Sequence, residues 1–161
     1  MIHRRILLLA PAVALVAACA TQPAATPVSV ADTIAQDPQL STLNTLVVKA
    51  GLADSLKATG PITVFAPTND AFKAVPAKTM DELSQDPAKL KAVLNYHVLP
   101  ARLVAADVKT ANVKTVQGAN IAVAKSGEFV TVEDAMVEHA DIIATNGVVH
   151  TVDRVLLPPK S

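Results

Sequence analysis

The densest apolar pattern in this 161-residue chain lies near its end. Asn146-Gly147 is a strong turn signal, and the residues after it are mostly β-branched until Pro158-Pro159. On an extended backbone Val149, Thr151, Asp153 and Val155 share one face. Val148, His150, Val152, Arg154 and Leu156 share the other. Apolar residues on both faces predict a strand covered on both sides for much of its length. His150 would then lie inside and need a hydrogen-bonding partner. The earlier run Ile62-Thr63-Val64-Phe65-Ala66-Pro67 has the same character and is expected beside it.

Upstream, the apolar spacing is helical. Ser29 reads as a cap with Asp32 three residues on, Val30, Ala31 and Ile34 as an apolar face, and Asp37-Pro38 as a stop. Leu40, Leu43, Leu46, Val47 and Ala50 form a stripe over residues 41–49, ended by Gly51, and residues 52–57 add a further turn. Thr68 reads as an N-cap, with Asn69 as a turn residue and Asp70 near the positive helix end. Thr79-Met80-Asp81-Glu82 reads as a capping box, and Asp86-Pro87 as another helix start. In that last helix Leu90, Val93, Leu94 and His97 fall at i, i+3, i+4 and i+7, which points His97 inward or at the rim.

After Pro100 the period drops toward two. Residues 113–116, 121–124, 129–132 and 136–137 are short strand candidates, separated by Gly118-Ala119-Asn120 and Ser126-Gly127. Helices come first and strands later, which predicts an α+β class rather than a doubly wound sheet.

Composition narrows the function. From Cys19 onward the chain carries 12 basic and 14 acidic residues, which argues against a binder of nucleic-acid backbones. With one Tyr, three Phe and no Trp, stacking platforms are nearly absent. The single cysteine excludes an internal disulfide.

That cysteine has a context. His3, Arg4 and Arg5 precede an apolar run over residues 6–16, too short to span a bilayer comfortably, and small residues follow. Val16-Ala17-Ala18-Cys19 resembles the lipobox of bacterial lipoproteins. The resemblance implies a signal peptide at 1–18, cleavage before Cys19 and lipid on that residue; the alternative is an ordinary signal peptide with an incidental cysteine. Ala20 after the cysteine resembles the pattern sorted to the outer membrane in many Gram-negative bacteria. Residues 19–28 then read as the lipidated cysteine and a Pro/Ala/Thr tether, reaching about 28 Å if extended.

Three separated motifs resemble one family. Residues 63–72, Thr-Val-Phe-Ala-Pro-Thr-Asn-Asp-Ala-Phe, resemble the first signature of fasciclin (FAS1) domains. Asn95-Tyr96-His97-Val98-Leu99-Pro100 resembles the Tyr-His segment, and residues 146–158 resemble the second signature. Ala101 stands where many members carry glycine. The likeness covers residues 29–158, leaving 159–161 as a tail. It implies a wedge of two small β-sheets with the N-terminal-half helices packed beside it, and the two signature strands as central neighbours. It also implies adhesion and protein binding without general catalytic activity. In animal relatives an Asp-Ile pair before the second signature and the Tyr-His segment are linked to integrin binding. Those positions are here Asp141-Ile142 and Tyr96-His97.

The residues themselves point the same way. There is no G-x-S-x-G, no H-E-x-x-H and no glycine-rich phosphate loop. His150 and Asp153, three apart on a strand, face opposite sides and cannot form a dyad directly. His97 and His150 are expected as core histidines linking helix to strand, with Thr68 and Asn69 as structural cap and turn residues. His139 and Asp141 have no obvious third ligand, so no metal is expected. No cofactor is expected either, and Glu133, Asp134 and Glu138 read as a solvated face.

Asp141-Ile142-Ile143 is the candidate surface: an apolar group beside a charge suits a binding rim. The competing reading makes both isoleucines core and Asp141 a turn residue. The expectation is therefore a lipid-anchored, non-enzymatic binding module of the bacterial cell envelope, in the outer membrane. Its candidate contact residues are Asp141, Ile142, Tyr96 and His97, and its partner an unknown protein or polysaccharide at the surface or matrix. Two alternatives stand beside it: a periplasmic small-ligand binder or enzyme using His97 and His150, and a purely structural envelope protein.

Overall fold

Polar side chains decide where most of the helices begin. The Ser29 hydroxyl accepts the Asp32 amide at 3.2 Å, which starts helix α1 (Val30–Gln36). Asp37 caps the short 3-10 turn Pro38–Leu40. Helix α2 (Ser41–Lys49) turns Leu43, Leu46 and Val47 inward. Gly51, at φ 68°, then lets the Leu52 amide return to the Val47 carbonyl at 3.0 Å, and α3 (Ala53–Lys57) follows. Thr68 caps α4 (Asn69–Lys73). Asp86 accepts the Ala88 and Lys89 amides at the start of α6 (Pro87–Tyr96), with Pro87 in the first turn.

Helix α5 (Ala77–Gln85) departs from expectation, because the Thr79-Met80-Asp81-Glu82 box does not cap it. The Pro76 carbonyl takes the Thr79 and Met80 amides at 2.9 and 3.1 Å, so the helix begins earlier and Thr79 lies inside it. The computed structural model describes residues 28–58 and 60–159. The expected signal peptide (1–18), Cys19 with the tether as far as residue 27, and tail residues 160–161 lie outside the described residues.

Seven strands are described: β1 (Ile62–Pro67), β2 (Val98–Leu99), β3 (Ala111–Lys114), β4 (Asn120–Ser126), β5 (Phe129–Val132), β6 (Ala135–Ala144) and β7 (Gly147–Val152). Their order is β2-β1-β7-β6-β5-β4-β3. Strands β1 and β7 run parallel, in register from Ile62 opposite Gly147 to Pro67 opposite Val152. The other pairs are antiparallel. The α+β class is as expected. The strands form one seven-stranded mixed sheet whose two halves are joined through β6, which pairs with β7 from Val137 to Ala144 but with β5 only through Ala135 and Met136.

Strand β6 is ten residues long where only Met136-Val137 was expected. Its register with β7 slips between Val137 and His139 and again between His139 and Ile142. These bulges, and the exposed Glu138 and Asp141, break the alternation that marks a strand in sequence. They also blunt the length of β6 that β5 leaves unpaired.

The central strands divide two cores. Val64, Ala66 and Val149 pack with Leu43, Val47, Leu90 and Leu94 beneath the helices. Phe65 and Val152 pack with Ile121, Val123, Val130 and Val132 on the other side. All six residues of β7 are buried, which is why its sequence is apolar on both faces.

The tight turn between β6 and β7 fastens the rest. Asn146 Oδ1 accepts the Val30 amide at 2.8 Å, and Nδ2 donates to the Leu56 and Ala58 carbonyls at 2.7 and 3.0 Å. The Thr145 amide and hydroxyl both donate to the Val28 carbonyl, at 2.9 and 3.2 Å. At Gly147 the partner strand comes so close that any Cβ would run into the Ile62 carbonyl. Gly147→Ala should therefore cost about 3 kcal/mol, the upper range for overpacking. Urea denaturation checks this, and a variant as stable as the parent would show that β1 and β7 separate without penalty.

Candidate functional site

Alternation along β7 aims His150 at the same side as Phe65, and the two rings stack with centroids 5.6 Å apart. The second bulge of β6 lies opposite His150. There Asp141 adopts φ 61°, a conformation that aspartate tolerates better than most residues. Its amide donates to His150 Nδ1 at 3.1 Å. With Nδ1 accepting, the ring hydrogen is on Nε2, which donates to the Leu103 carbonyl at 2.6 Å.

The loop that contains Leu103 is held at two further points. The Leu103 amide donates to Thr63 Oγ1 at 2.8 Å, and that hydroxyl donates to the Ala101 carbonyl at 2.7 Å. The Ala105 amide donates to Asp141 Oδ1 at 2.8 Å. Thr63, His150 and Asp141 thus stand on three neighbouring strands, β1, β7 and β6, and together clasp residues 101–105.

On the outer side of this clasp Asp141 is exposed and Ile143 is 63% exposed. Ile142 is half-buried and packs against the helical core. The apolar group beside the charge is therefore Ile143, and Ile142 is mainly a core contact. Arg102, His139 and Ala140 are exposed as well.

The Tyr-His segment lies inside. His97 closes the C-terminus of α6 and is 2% exposed. Its Nδ1 donates to the Val93 carbonyl at 2.8 Å, and its Nε2 accepts the Leu156 amide at 2.9 Å. Its own carbonyl accepts the Phe65 amide at 2.9 Å. Tyr96 is 3% exposed, and its hydroxyl donates to the Asn120 carbonyl at 3.4 Å. Burial at this depth removes the Tyr96 and His97 side chains as direct contact groups for a partner, contrary to the sequence expectation.

Electrostatics match the geometry. Burial pushes His97 down to about 4, against the pull of the Val93 carbonyl. Burial also lowers His150, opposed by the Leu103 carbonyl and the Asp141 charge. Burial raises the Tyr96 phenol, and the Glu133 carboxylate adds to that. Both imidazoles are thus neutral with both nitrogens committed, which leaves neither free to shuttle a proton. Among the described residues no group of three or more His, Cys, Asp or Glu side chains is placed to hold a metal ion.

Thr68 is buried and accepts the Ala71 amide at 3.3 Å. Asn69 does more than shape its own turn. Its Oδ1 accepts the Thr42 amide at 3.0 Å and its Nδ2 donates to the Pro38 carbonyl at 3.0 Å, so it caps α2 from 27 residues away. Sequence reading missed the bonds made by Thr63 and Asn146, and left open which of Ile142 and Ile143 is exposed. Only Asn146 had a local signal, as the first residue of the Asn-Gly turn.

The sequence profile of the Fasciclin domain family matches residues 38–158. Protein sll1483 of Synechocystis sp. is 43% identical over 148 residues, spanning 91% of this chain and 81% of the relative. Immunogenic protein MPB70 of Mycobacterium bovis is 37% identical over 138 residues, spanning 83% of this chain and 69% of the relative. The pig transforming growth factor-beta-induced protein ig-h3 is 39% identical over 132 residues; these are 81% of this chain but only 19% of that protein. Among solved structures, a FAS1 domain pair from the insect cell adhesion molecule Fasciclin I aligns with a TM-score of 0.64 at 19% identity. The alignment spans 81% of this chain and 51% of that one, and is a likeness of fold.

The two buried histidines set an acid limit on stability. A lowered folded-state pKa means the unfolded chain binds protons that the folded chain refuses. The stability from His97 is complete above the unfolded value near 6.5 and drains away as the pH falls toward about 4. His97 alone should account for roughly 3 kcal/mol across that window. Urea midpoints measured from pH 7.5 to 4 check this: His97→Gln should be weaker at pH 7.5 and visibly flatter with pH. A parallel pH dependence in that variant would contradict the assignment.

Proposed function

The chain belongs to the fasciclin domain family, and from that premise we propose that it is a non-catalytic adhesion and protein-binding module of a bacterial cell envelope. In this reading residues 1–18 are a lipoprotein signal peptide and Cys19 carries the lipid. Residues 19–28 tether the domain, 29–158 form it, and 159–161 are its tail. The anchor sits in the outer membrane, and the membrane is engaged through lipid alone. Among the described residues no helix is long and apolar enough to cross a membrane. The partner is a protein or polysaccharide at the cell surface or in the matrix. Adhesion is drawn from Fasciclin I, whose domain pair has the same fold.

One observation carries the choice of surface. The β6 bulge turns Asp141 outward and ties it to residue 105, while Ile143 stays 63% exposed two positions on. A fixed charge beside an exposed aliphatic group on a rigid strand loses little entropy on binding. The buried His97 then serves the surface from beneath: it holds Phe65 through its carbonyl, and Phe65 stacks on His150.

Asp141→Asn combined with Ile143→Ala should lower cell aggregation or partner capture at least tenfold with little change in melting temperature. Asparagine keeps both the acceptor for the Ala105 amide and tolerance of positive φ. Unchanged aggregation in a folded double variant would move the binding surface elsewhere. For the anchor, metabolic palmitate labelling should mark the native chain and vanish in Cys19→Ala; label retained in that variant would remove the lipoprotein assignment.

A further inference from the structure

Beneath the helical layer lies a cavity of about 100 Å³. Its walls come from α1, α2, α3, α6, β1 and β2, with Val47, Val64, Leu94 and Val98 among them. Interiors pack nearly as tightly as organic crystals and leave few voids larger than a water molecule. This one is larger, and it is not sealed. Val116, 48% exposed, stands at its edge with the exposed Ser55 and the half-buried Asn95.

The chemistry of the interior selects the occupant. Of the three polar residues that line the cavity, Ser55 and Asn95 reach solvent. The third, His97, already spends Nδ1 on the Val93 carbonyl and Nε2 on the Leu156 amide. Among the described residues no buried side-chain nitrogen or oxygen lacks a partner. A buried water needs about two to four polar partners, and His97, the buried polar side chain of the lining, has none to spare. A charged or hydrogen-bonding ligand would be stripped of water without replacement. An apolar cavity of about 150 Å³ stays dry and takes up benzene or xenon, which sets the scale.

We propose that this cavity is a binding site for a small uncharged apolar molecule that enters past Val116. The site uses none of the residues of the β6 rim and is independent of adhesion. An occupant would bridge α2 and α6 to β1, and so would fasten the helical layer to the sheet.

Xenon pressure and benzene titration of the purified, methyl-labelled protein test the site. Saturable shifts are expected at the methyl groups of Val47, Val64 and Leu94, while those of Val123 and Val132 in the second core stay in place. Val47→Leu, which fills the cavity, should weaken benzene binding at least fivefold; Val98→Ile serves the same purpose should Val47→Leu not fold. The proposal falls if no saturable shift occurs, if both cores respond alike, or if the filled variants bind benzene as the parent does.

Discussion

Two strands far apart in the chain lie parallel and buried along all but Ile62, and that burial dictates the rest. A polar group on β1 or β7 must find its partner inside the protein or cost a large part of the stability. The partners are specific. Thr63 serves residues 101–103, Thr151 accepts the His139 amide at 3.0 Å, and His150 joins the β6 bulge to Leu103. Each such bond fixes a segment whose apolar contacts are only partial, such as Leu103 and Ala105 at the edge of the second core. The covering loop and the irregular course of β6 follow from the needs of the central pair.

The two buried histidines solve one problem in mirror-image ways. His97 donates from Nδ1 and accepts at Nε2, whereas His150 donates from Nε2 and accepts at Nδ1. A neutral imidazole is the side chain that joins an orphan amide to an orphan carbonyl across a gap of this size. At His150 the amide comes from Asp141, and offering it requires the left-handed backbone that turns the Asp141 carboxylate to solvent. The exposed charge on the rim is thus a by-product of satisfying a buried ring. Inside and outside are coupled by one residue's φ angle.

Much of this was legible in the sequence. The caps Ser29, Thr68 and Asp86, the stripe of α2 and the strand β1 lie where local pattern puts them, because local chemistry decides them. The burial of His150 followed from apolar residues on both sides of it. The length of β6 did not, since bulges erase the period-two signal and its exposed residues look like loop. Asn69 capping α2, and Thr63 holding the 101–103 segment, are long-range bonds with no local trace. The placement of Ile142 and Ile143 was open for the same reason: a bulge swaps which of two adjacent residues faces the core, and the sequence carries no mark of it.

The attachment of Val28 to Thr145 has a mechanical consequence. Traction applied to the chain ahead of residue 28 enters the domain at the β6–β7 hairpin, not through a helix that could peel off turn by turn. Asn146 spreads that force to the ends of α1 and α3. Ile143 lies two residues from the point of entry. A load between the chain ahead of residue 28 and a pull at Ile143 would pass through Thr145 and the end of β6, and bypass both hydrophobic cores.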